Sequence, residues 1–226
     1  MSAALNPLAP LRWREQPLEL EYQWVGDLAS AAPVVVFLHE GLGSVSMWRD
    51  FPARFCPEHG FKGLVFSRYG YGRSTPKPVG ETWAPDFMYQ QAFEVLPMLF
   101  AHLHIERPWL IEQAREAYAA TNLRTRLARH HGGPDPAFRG WNDVWLSPVF
   151  RTWNIEPALD GITCPVLAVQ GEDDEYGTLE QIRGIARHVP HTELLVIPHC
   201  AHSPHRDQPE TLSRAAGRFI HHSNLS

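Results

Sequence analysis

The sequence is poor in cysteine, in basic residues and in long apolar runs, and each scarcity excludes a class of protein. Three cysteines, Cys56, Cys164 and Cys200, are too few for a disulfide framework and suit a reducing compartment. Lysine and arginine number 20 against 25 acidic residues, which disfavours a nucleic-acid-binding protein. The longest apolar run, residues 31–38, is far too short to cross a bilayer. We therefore expect neither nucleic acid nor a membrane as a partner.

The overall composition is typical of a globular protein. The chain has 226 residues, of which 44% are hydrophobic, and neither glycine nor proline forms a repeat. This length fits one domain, or one domain that carries a small subdomain. Residues 1–13 lack the basic start and apolar stretch of a signal peptide. We expect a soluble, cytoplasmic protein with one main core.

Short apolar runs alternate with helical stretches along most of the chain, which predicts an α/β fold with a mostly parallel sheet. The alternation of apolar and polar residues over 18–24 predicts a half-buried strand, and the unbroken apolar run 34–38 predicts a strand buried on both faces. Pro97 predicts a kink or an early end in a helix over 86–102. Further strands are predicted at 63–66, 108–111, 165–169 and 194–197, and further helices at 178–188 and 209–220.

The middle of the chain, residues 112–160, has helical stretches but no convincing strand. We interpret it as a small helical cap between an N-terminal part of the α/β core, residues 1–111, and a C-terminal part, residues 161–226. Trp141, Trp145 and Trp153 either line an apolar substrate pocket or form the core of the cap itself.

Polar segments follow four of the predicted strands, and parallel strands bring such segments together at the carboxyl edge of a sheet, where ligands bind. The segments are Leu38-His39-Glu40-Gly41, Arg68-Tyr69-Gly70-Tyr71-Gly72-Arg73-Ser74, Gly171-Glu172-Asp173-Asp174 and Cys200-Ala201-His202-Ser203. In this order they resemble the α/β-hydrolase family over nearly the whole chain. They are similar, in turn, to its oxyanion loop, its R-x-G-x-G-x-S loop, its G-x-x-D acid loop and its small-x-H-[SG] base loop.

The resemblance implies a role for individual residues. His202 would be the general base, and Asp174 the carboxylate that orients it and stabilises its positive charge. Backbone N–H groups near Gly41 and Leu42 would donate hydrogen bonds to a developing oxyanion. Asp173 competes with Asp174 for the acid role, although the three-residue offset from Gly171 favours Asp174. The implied partner is a small-molecule substrate.

Other interpretations of the same residues point away from catalysis. The spacing of His199, His202 and His205 could suggest a metal site, but Pro198 and Pro204 interrupt helix formation and no nearby Cys/His partner set exists, so we expect none. A lone histidine in such a loop is ordinarily a surface or hydrogen-bonded residue. Ser74 lies in a Gly-x-Ser context that lacks a second glycine, and we expect it to close a turn. Nothing in the sequence indicates a cofactor.

The nucleophile of the family is missing from this sequence. The resemblance implies a G-x-S-x-G elbow directly after the strand at 108–111, but an ordinary helix start begins there with Glu112. No serine or cysteine has glycine both two positions before and two positions after it. The elbow, a helix and a strand, together roughly 35 to 45 residues, are therefore expected to be missing between Ile111 and Glu112.

Two functions remain open at this point. The first is hydrolysis of a small ester or related acyl substrate by Ser-His-Asp chemistry, with His202 and Asp174 present and the nucleophile not identifiable. The second is a catalytically inactive binding or scaffold protein, or a truncated variant that a homo-oligomer completes by exchanging elements between copies.

Overall fold

The computed structural model of the chain describes residues 5–39, 43–78, 81, 83–84, 86–106, 108–112 and 156–223. These residues divide into two compact units, the first ending at Glu112 and the second beginning at Glu156. The predicted cap over 112–160 lies almost wholly outside the described residues, together with its three tryptophans, and stays a prediction.

The strands of the first unit form a five-stranded sheet in the order β1-β2-β4-β3-β5. β3 pairs in parallel with β4 on one side and with β5 on the other, whereas β2 is antiparallel to both β1 and β4. The central strand β3 is an unbroken apolar run because helices and loops cover both of its faces. The strands are β1 (Leu8–Trp13), β2 (Gln16–Val25), β3 (Val34–Leu38), β4 (Lys62–Phe66) and β5 (Trp109–Glu112).

β1 has no counterpart among the predicted strands. Pro10 lies in its middle, and a proline inside a short run argues against a strand because it cannot donate a hydrogen bond to a neighbour. β1 is at the edge of the sheet and pairs only with β2, where Pro10 lies opposite Glu19. An edge strand tolerates the missing donor.

Helices and an aromatic cluster pack against this sheet. A 3₁₀ helix (Val45–Trp48) and α1 (Phe51–His59) follow β3. Phe37 of β3 makes edge-to-face contacts with the rings of Trp48, Phe51 and Phe55, at centroid distances between 5.3 and 6.4 Å. The spacing of aromatic residues on α1 thus places one face of the helix on the sheet.

The helix predicted over 86–102 is present but changes its winding. α2 (Phe87–Gln90) leads into a π-helical turn (Gln91–Val95) and then into α3 (Leu96–His102). Pro97 lacks the N–H that would bond the carbonyl four residues earlier, and a local π turn accommodates such a gap without ending the helix. Of the two predicted outcomes, a kink or an early end, the early end is wrong: the helical stretch runs to His102, and its winding changes just before the proline.

The second unit contains a separate pair of parallel strands, β6 (Val166–Gly171) and β7 (Thr192–Ile197). The crossover helix α5 (Glu180–His188) joins them and packs against both strands. The other helices are α4 (Glu156–Leu159), α6 (Pro204–Asp207) and α7 (Pro209–Ser223). None of the helices in the described parts of the chain has the length and hydropathy that membrane crossing requires.

Candidate active site

The loops that follow β6 and β7 are held together by main-chain contacts. The N–H of Asp173 donates to the carbonyl of Cys200 at 3.0 Å. Gly171 permits this approach, because a Cβ at that position would overlap the carbonyl oxygens of both Cys200 and Ala201. Glycine is therefore required here for space, and its effect is to bring the predicted acid and base loops side by side.

His202 and Asp174 meet at this junction. Nδ1 of His202 lies 2.8 Å from Oδ1 of Asp174, and both side chains are largely buried, with 13% and 7% of their surface exposed. The ring of Tyr176 packs edge-on against the imidazole at a centroid distance of 5.2 Å. The structure thus brings together the two residues that the loop motifs predict to be acid and base, whereas the exposed Asp173 does not take that position.

The Asp174 carboxylate is held in its charged form. Burial is the largest single effect on its pKa and raises it. Hydrogen bonds from the backbone N–H of Tyr176 (2.9 Å), from His202 and from the backbone N–H of Gly177 (3.1 Å) together outweigh burial, so the pKa of Asp174 lies below its ordinary value. The group is therefore an anion at neutral pH.

An ionised carboxylate can only accept hydrogen bonds, which fixes the tautomer of its partner. Nδ1 of His202 must carry the proton that it shares with Asp174, and Nε2 of the neutral ring therefore keeps its lone pair. This is the state in which an imidazole accepts a proton from an attacking hydroxyl group. The arrangement can act as a general base.

The three histidines of this segment lie in different local structures. His205 is buried in α6, and His199 lies in a left-handed turn with a φ of 52°. Within the described ranges, no group of three or more His, Cys, Asp or Glu side chains is placed to hold a metal ion.

The predicted oxyanion donors, Gly41 and Leu42, lie outside the described residues, as does Glu40. Their neighbour His39 is described: its ring is buried, and its Nε2 accepts a hydrogen bond from the backbone N–H of Arg68 at 2.9 Å. On the far side of the loop, the N–H of Val45 donates to Oγ of Ser67 at 3.0 Å. The described residues on both flanks of the predicted oxyanion loop, His39 and Val45, are thus hydrogen-bonded to the chain just after β4.

Glu21 of β2 joins this part of the first unit to the R-x-G-x-G-x-S loop. Its carboxylate is buried and accepts hydrogen bonds from Oγ of Ser67 at 2.8 Å and from the backbone N–H of Arg73 at 3.0 Å. Gly72 has a φ of 56° and packs directly against the Ser67 and Glu21 side chains, so a Cβ would overlap both. This glycine is needed for both its conformation and its lack of a side chain.

Ser74 closes the turn in which it lies. Its Oγ donates to the carbonyl of Ser67 at 2.6 Å and accepts from the N–H of Glu21 at 2.9 Å, while its own N–H bonds to the carbonyl of Tyr71 at 3.0 Å. These partners belong to the loop, to β2 and to Ser67, the residue between β4 and the loop. The Ser74 hydroxyl therefore has a structural role in this turn.

Solved structures with the same fold match this chain over nearly its whole length. A probable hydrolytic enzyme from Pseudomonas aeruginosa PAO1 matches with a TM-score of 0.73 at 14% identity, covering 96% of this chain and 95% of that one. A thermophilic esterase from Thermogutta terrifontis matches with a TM-score of 0.72 at 16% identity, covering 97% and 99%. The enol-lactonase from Burkholderia xenovorans LB400 matches with a TM-score of 0.66 at 16% identity, covering 90% and 96%.

These neighbours are α/β-hydrolase-fold proteins. The chain has the α/β-hydrolase fold. The predicted fold class, a mostly parallel sheet flanked by helices, is thereby confirmed. No family model matches the sequence, and no curated protein matches it either.

The predicted junction between Ile111 and Glu112 falls inside β5, where Ile111 pairs with Phe37 and Glu112 with Leu38. Glu112 therefore continues the strand in register at the point where the resemblance predicts the elbow to begin. The missing elbow and the roles of His202, Asp174, Gly41 and Leu42 stay predictions.

Two residues of this arrangement lie outside the sequence motifs. Glu21 falls at a polar position of the β2 alternation, which predicts exposure, yet the loop after β4 covers it. Gln170 precedes the G-x-x-D motif and contacts Asp174, but a single glutamine at a strand end carries no recognisable signal. The one available hint is a polar residue inside an otherwise apolar β6.

Proposed function

We propose that this protein is a hydrolase of small esters or related acyl substrates, with His202 as general base and Asp174 as the residue that orients it. The observation that carries the proposal is the 2.8 Å hydrogen bond between Nδ1 of His202 and Oδ1 of the ionised Asp174. Among proteins of the same fold, one is an esterase and another an enol-lactonase, and both names denote cleavage of an ester-type bond.

The chemistry follows from the lone pair that the neutral His202 ring carries on Nε2. As an oxygen nucleophile attacks the acyl carbon, Nε2 takes its proton and the carbonyl electrons move onto the carbonyl oxygen. Asp174 stabilises the imidazolium that forms. When the tetrahedral intermediate collapses, the bond to the leaving alcohol breaks and the imidazolium returns the proton to that alcohol.

Water is the nucleophile in this proposal. No serine or cysteine of the sequence lies in a G-x-S-x-G elbow, and we therefore propose that His202 activates a water molecule. Direct attack by water lacks the covalent intermediate and the second oxyanion donor that an elbow supplies. We therefore expect slow turnover.

Hydrolysis of p-nitrophenyl butyrate by the full chain tests this function. We expect hydrolysis above the buffer rate and its loss in His202→Ala. His188→Ala is a matched control, because Nδ1 of His188 also hydrogen-bonds a carboxylate, Asp160, at 2.9 Å, but on the surface. No hydrolysis above buffer, or an equal loss in both variants, would overturn the proposal.

A non-catalytic binding protein is the second candidate, and the lack of a G-x-S-x-G elbow in the sequence favours it. A binding protein keeps the fold without needing a base. It predicts that a product-like carboxylate, such as butyrate, binds equally well to the wild-type chain and to His202→Ala in calorimetric titrations. A second copy that supplies the missing elements predicts a concentration-dependent mass in analytical ultracentrifugation.

A further inference from the structure

Gln170 is a buried polar residue at the carboxyl end of β6. Only 5% of its surface is exposed, in a strand whose preceding residues, Val166 to Val169, are all apolar. Its Nε2 lies 3.1 Å from Oδ2 of Asp174 and 2.8 Å from the carbonyl oxygen of Gly177. The two amide hydrogens therefore serve two acceptors, one on the predicted catalytic acid and one on the loop that follows it.

The orientation of this amide is determined by its neighbours. The oxygen and the NH₂ group of a glutamine side chain have nearly the same shape, so their hydrogen-bond partners decide which is which. Both groups that face Nε2 are acceptors, a carboxylate and a carbonyl. A reversed amide would set oxygen against oxygen at both contacts. The NH₂ group must face Asp174 and Gly177.

This contact completes an asymmetric arrangement around Asp174. Oδ1 accepts from the N–H groups of Tyr176 and Gly177 and from Nδ1 of His202. Oδ2 accepts from Gln170. Rotation of the carboxylate about its Cβ–Cγ bond would break contacts on both sides, so the donors together keep Oδ1 aimed at the imidazole.

The side-chain carbonyl of Gln170 shows that holding the amide in this orientation is energetically unfavourable at its oxygen. Its Oε1 is buried and has no hydrogen-bond partner among the described residues. A buried acceptor without a donor is unfavourable, and an apolar residue such as valine would remove the problem while suiting the strand. The residue therefore fits a role toward the carboxylate better than one in packing.

We propose that Gln170 is a positioning residue for the Asp174–His202 pair, holding the carboxylate so that His202 keeps its proton on Nδ1 and its lone pair on Nε2. The effect of Gln170 on turnover rests on the proposed function. The state of the imidazole can be measured whether or not the protein hydrolyses esters, so the two proposals can fail separately.

The test is ¹⁵N NMR of the full chain labelled in histidine, which distinguishes the two neutral tautomers of an imidazole. His202→Ala identifies the signals of His202. Gln170→Met keeps the length of the side chain but removes both donors. Gln23→Met is the control, because Gln23 is an exposed glutamine on β2 of the first unit.

In the wild-type chain and in Gln23→Met, neutral His202 is expected as the Nδ1–H tautomer. In Gln170→Met we expect a mixture of tautomers and, where hydrolysis is measurable, a roughly tenfold lower kcat with little change in KM. An unchanged tautomer in a folded Gln170→Met would overturn the proposal and assign Gln170 to packing.

Gln170→Glu serves if the methionine variant does not fold, since it keeps the shape of the residue. It places carboxylate oxygens against the carboxylate of Asp174, and we expect the His202 signals to change. Signals identical to those of the wild-type chain would overturn the proposal on this variant as well. If neither the wild-type protein nor the Gln170 variant hydrolyses the ester, but the tautomer of His202 differs between them, the proposed function fails and the positioning role of Gln170 is supported.

Discussion

Glu21 and Ser67 lie 46 positions apart in the sequence, yet a 2.8 Å hydrogen bond joins their side chains inside the first unit. The same Ser67 hydroxyl accepts from the N–H of Val45, next to the predicted oxyanion loop. One buried carboxylate thus links β2, the chain after β4 and one flank of that loop. Glu21 therefore holds the Ser67 hydroxyl to which the backbone of Val45 is bonded.

Replacing Glu21 with alanine is expected to destabilise the protein by about 3 kcal/mol, because Ser67 and the N–H of Arg73 would lose their buried acceptor. The free energy of unfolding in urea measures this. Glu19→Ala is the matched control, since Glu19 lies on the same strand with an exposed side chain and is expected to change stability by less than about 0.5 kcal/mol. Equal effects of the two variants would show that the buried network contributes little.

The strands that could be predicted from the sequence are those whose packing against neighbouring elements requires a simple pattern of apolar residues. β3 was predicted over 34–38 and occurs over Val34–Leu38, because a strand buried on both faces must be apolar throughout. β1 could not be predicted, because Pro10 is acceptable only at a sheet edge and edge position depends on the whole topology.

Some residues of the candidate site were likewise predictable from the sequence, and others were not. Asp174 and His202 follow consecutive parallel strands, so local order along the chain is enough to predict that they meet. Glu21 and Gln170 act through contacts that no local pattern encodes. Glu21 needs a loop from elsewhere in the sequence to cover it, and Gln170 is recognisable only once its amide is seen between two acceptors.

Gly171→Ala is expected to separate the acid and base loops. A methyl group there would overlap the backbone carbonyls of Cys200 and Ala201, which cannot turn aside as a side chain can, and we expect a loss of about 2–3 kcal/mol in unfolding free energy. Gly60→Ala is the control: it has a φ of 69° but open space around it, so only the backbone strain of about 1–2 kcal/mol applies. A loss in Gly171→Ala no larger than the control would contradict this packing.

Asp174 should contribute to stability in a pH-dependent way. Its pKa in the folded chain lies below the unfolded value of about 4, so its contribution is fully present above that value and is lost as the pH falls through the folded pKa. We expect Asp174→Asn to cost about 1–3 kcal/mol at pH 7 and progressively less as the pH falls below 4. Urea denaturation of both proteins between pH 3 and pH 7 measures the difference, and a difference that is constant with pH would contradict the assigned charge.

The three cysteines are expected to differ sharply in reactivity, because the thiolate is the reacting form. Burial raises the pKa of Cys56 to about 12, and burial followed by the charges of Asp207, Asp174 and Asp173 raises that of Cys200 to about 11. Cys164 is exposed. In the folded protein at pH 8, Ellman's reagent should modify Cys164 at least about a hundredfold faster than the other two, and Cys164→Ser should abolish the fast phase. A fast phase that survives in Cys164→Ser would place a second thiol at the surface and contradict the burial of Cys56 or Cys200.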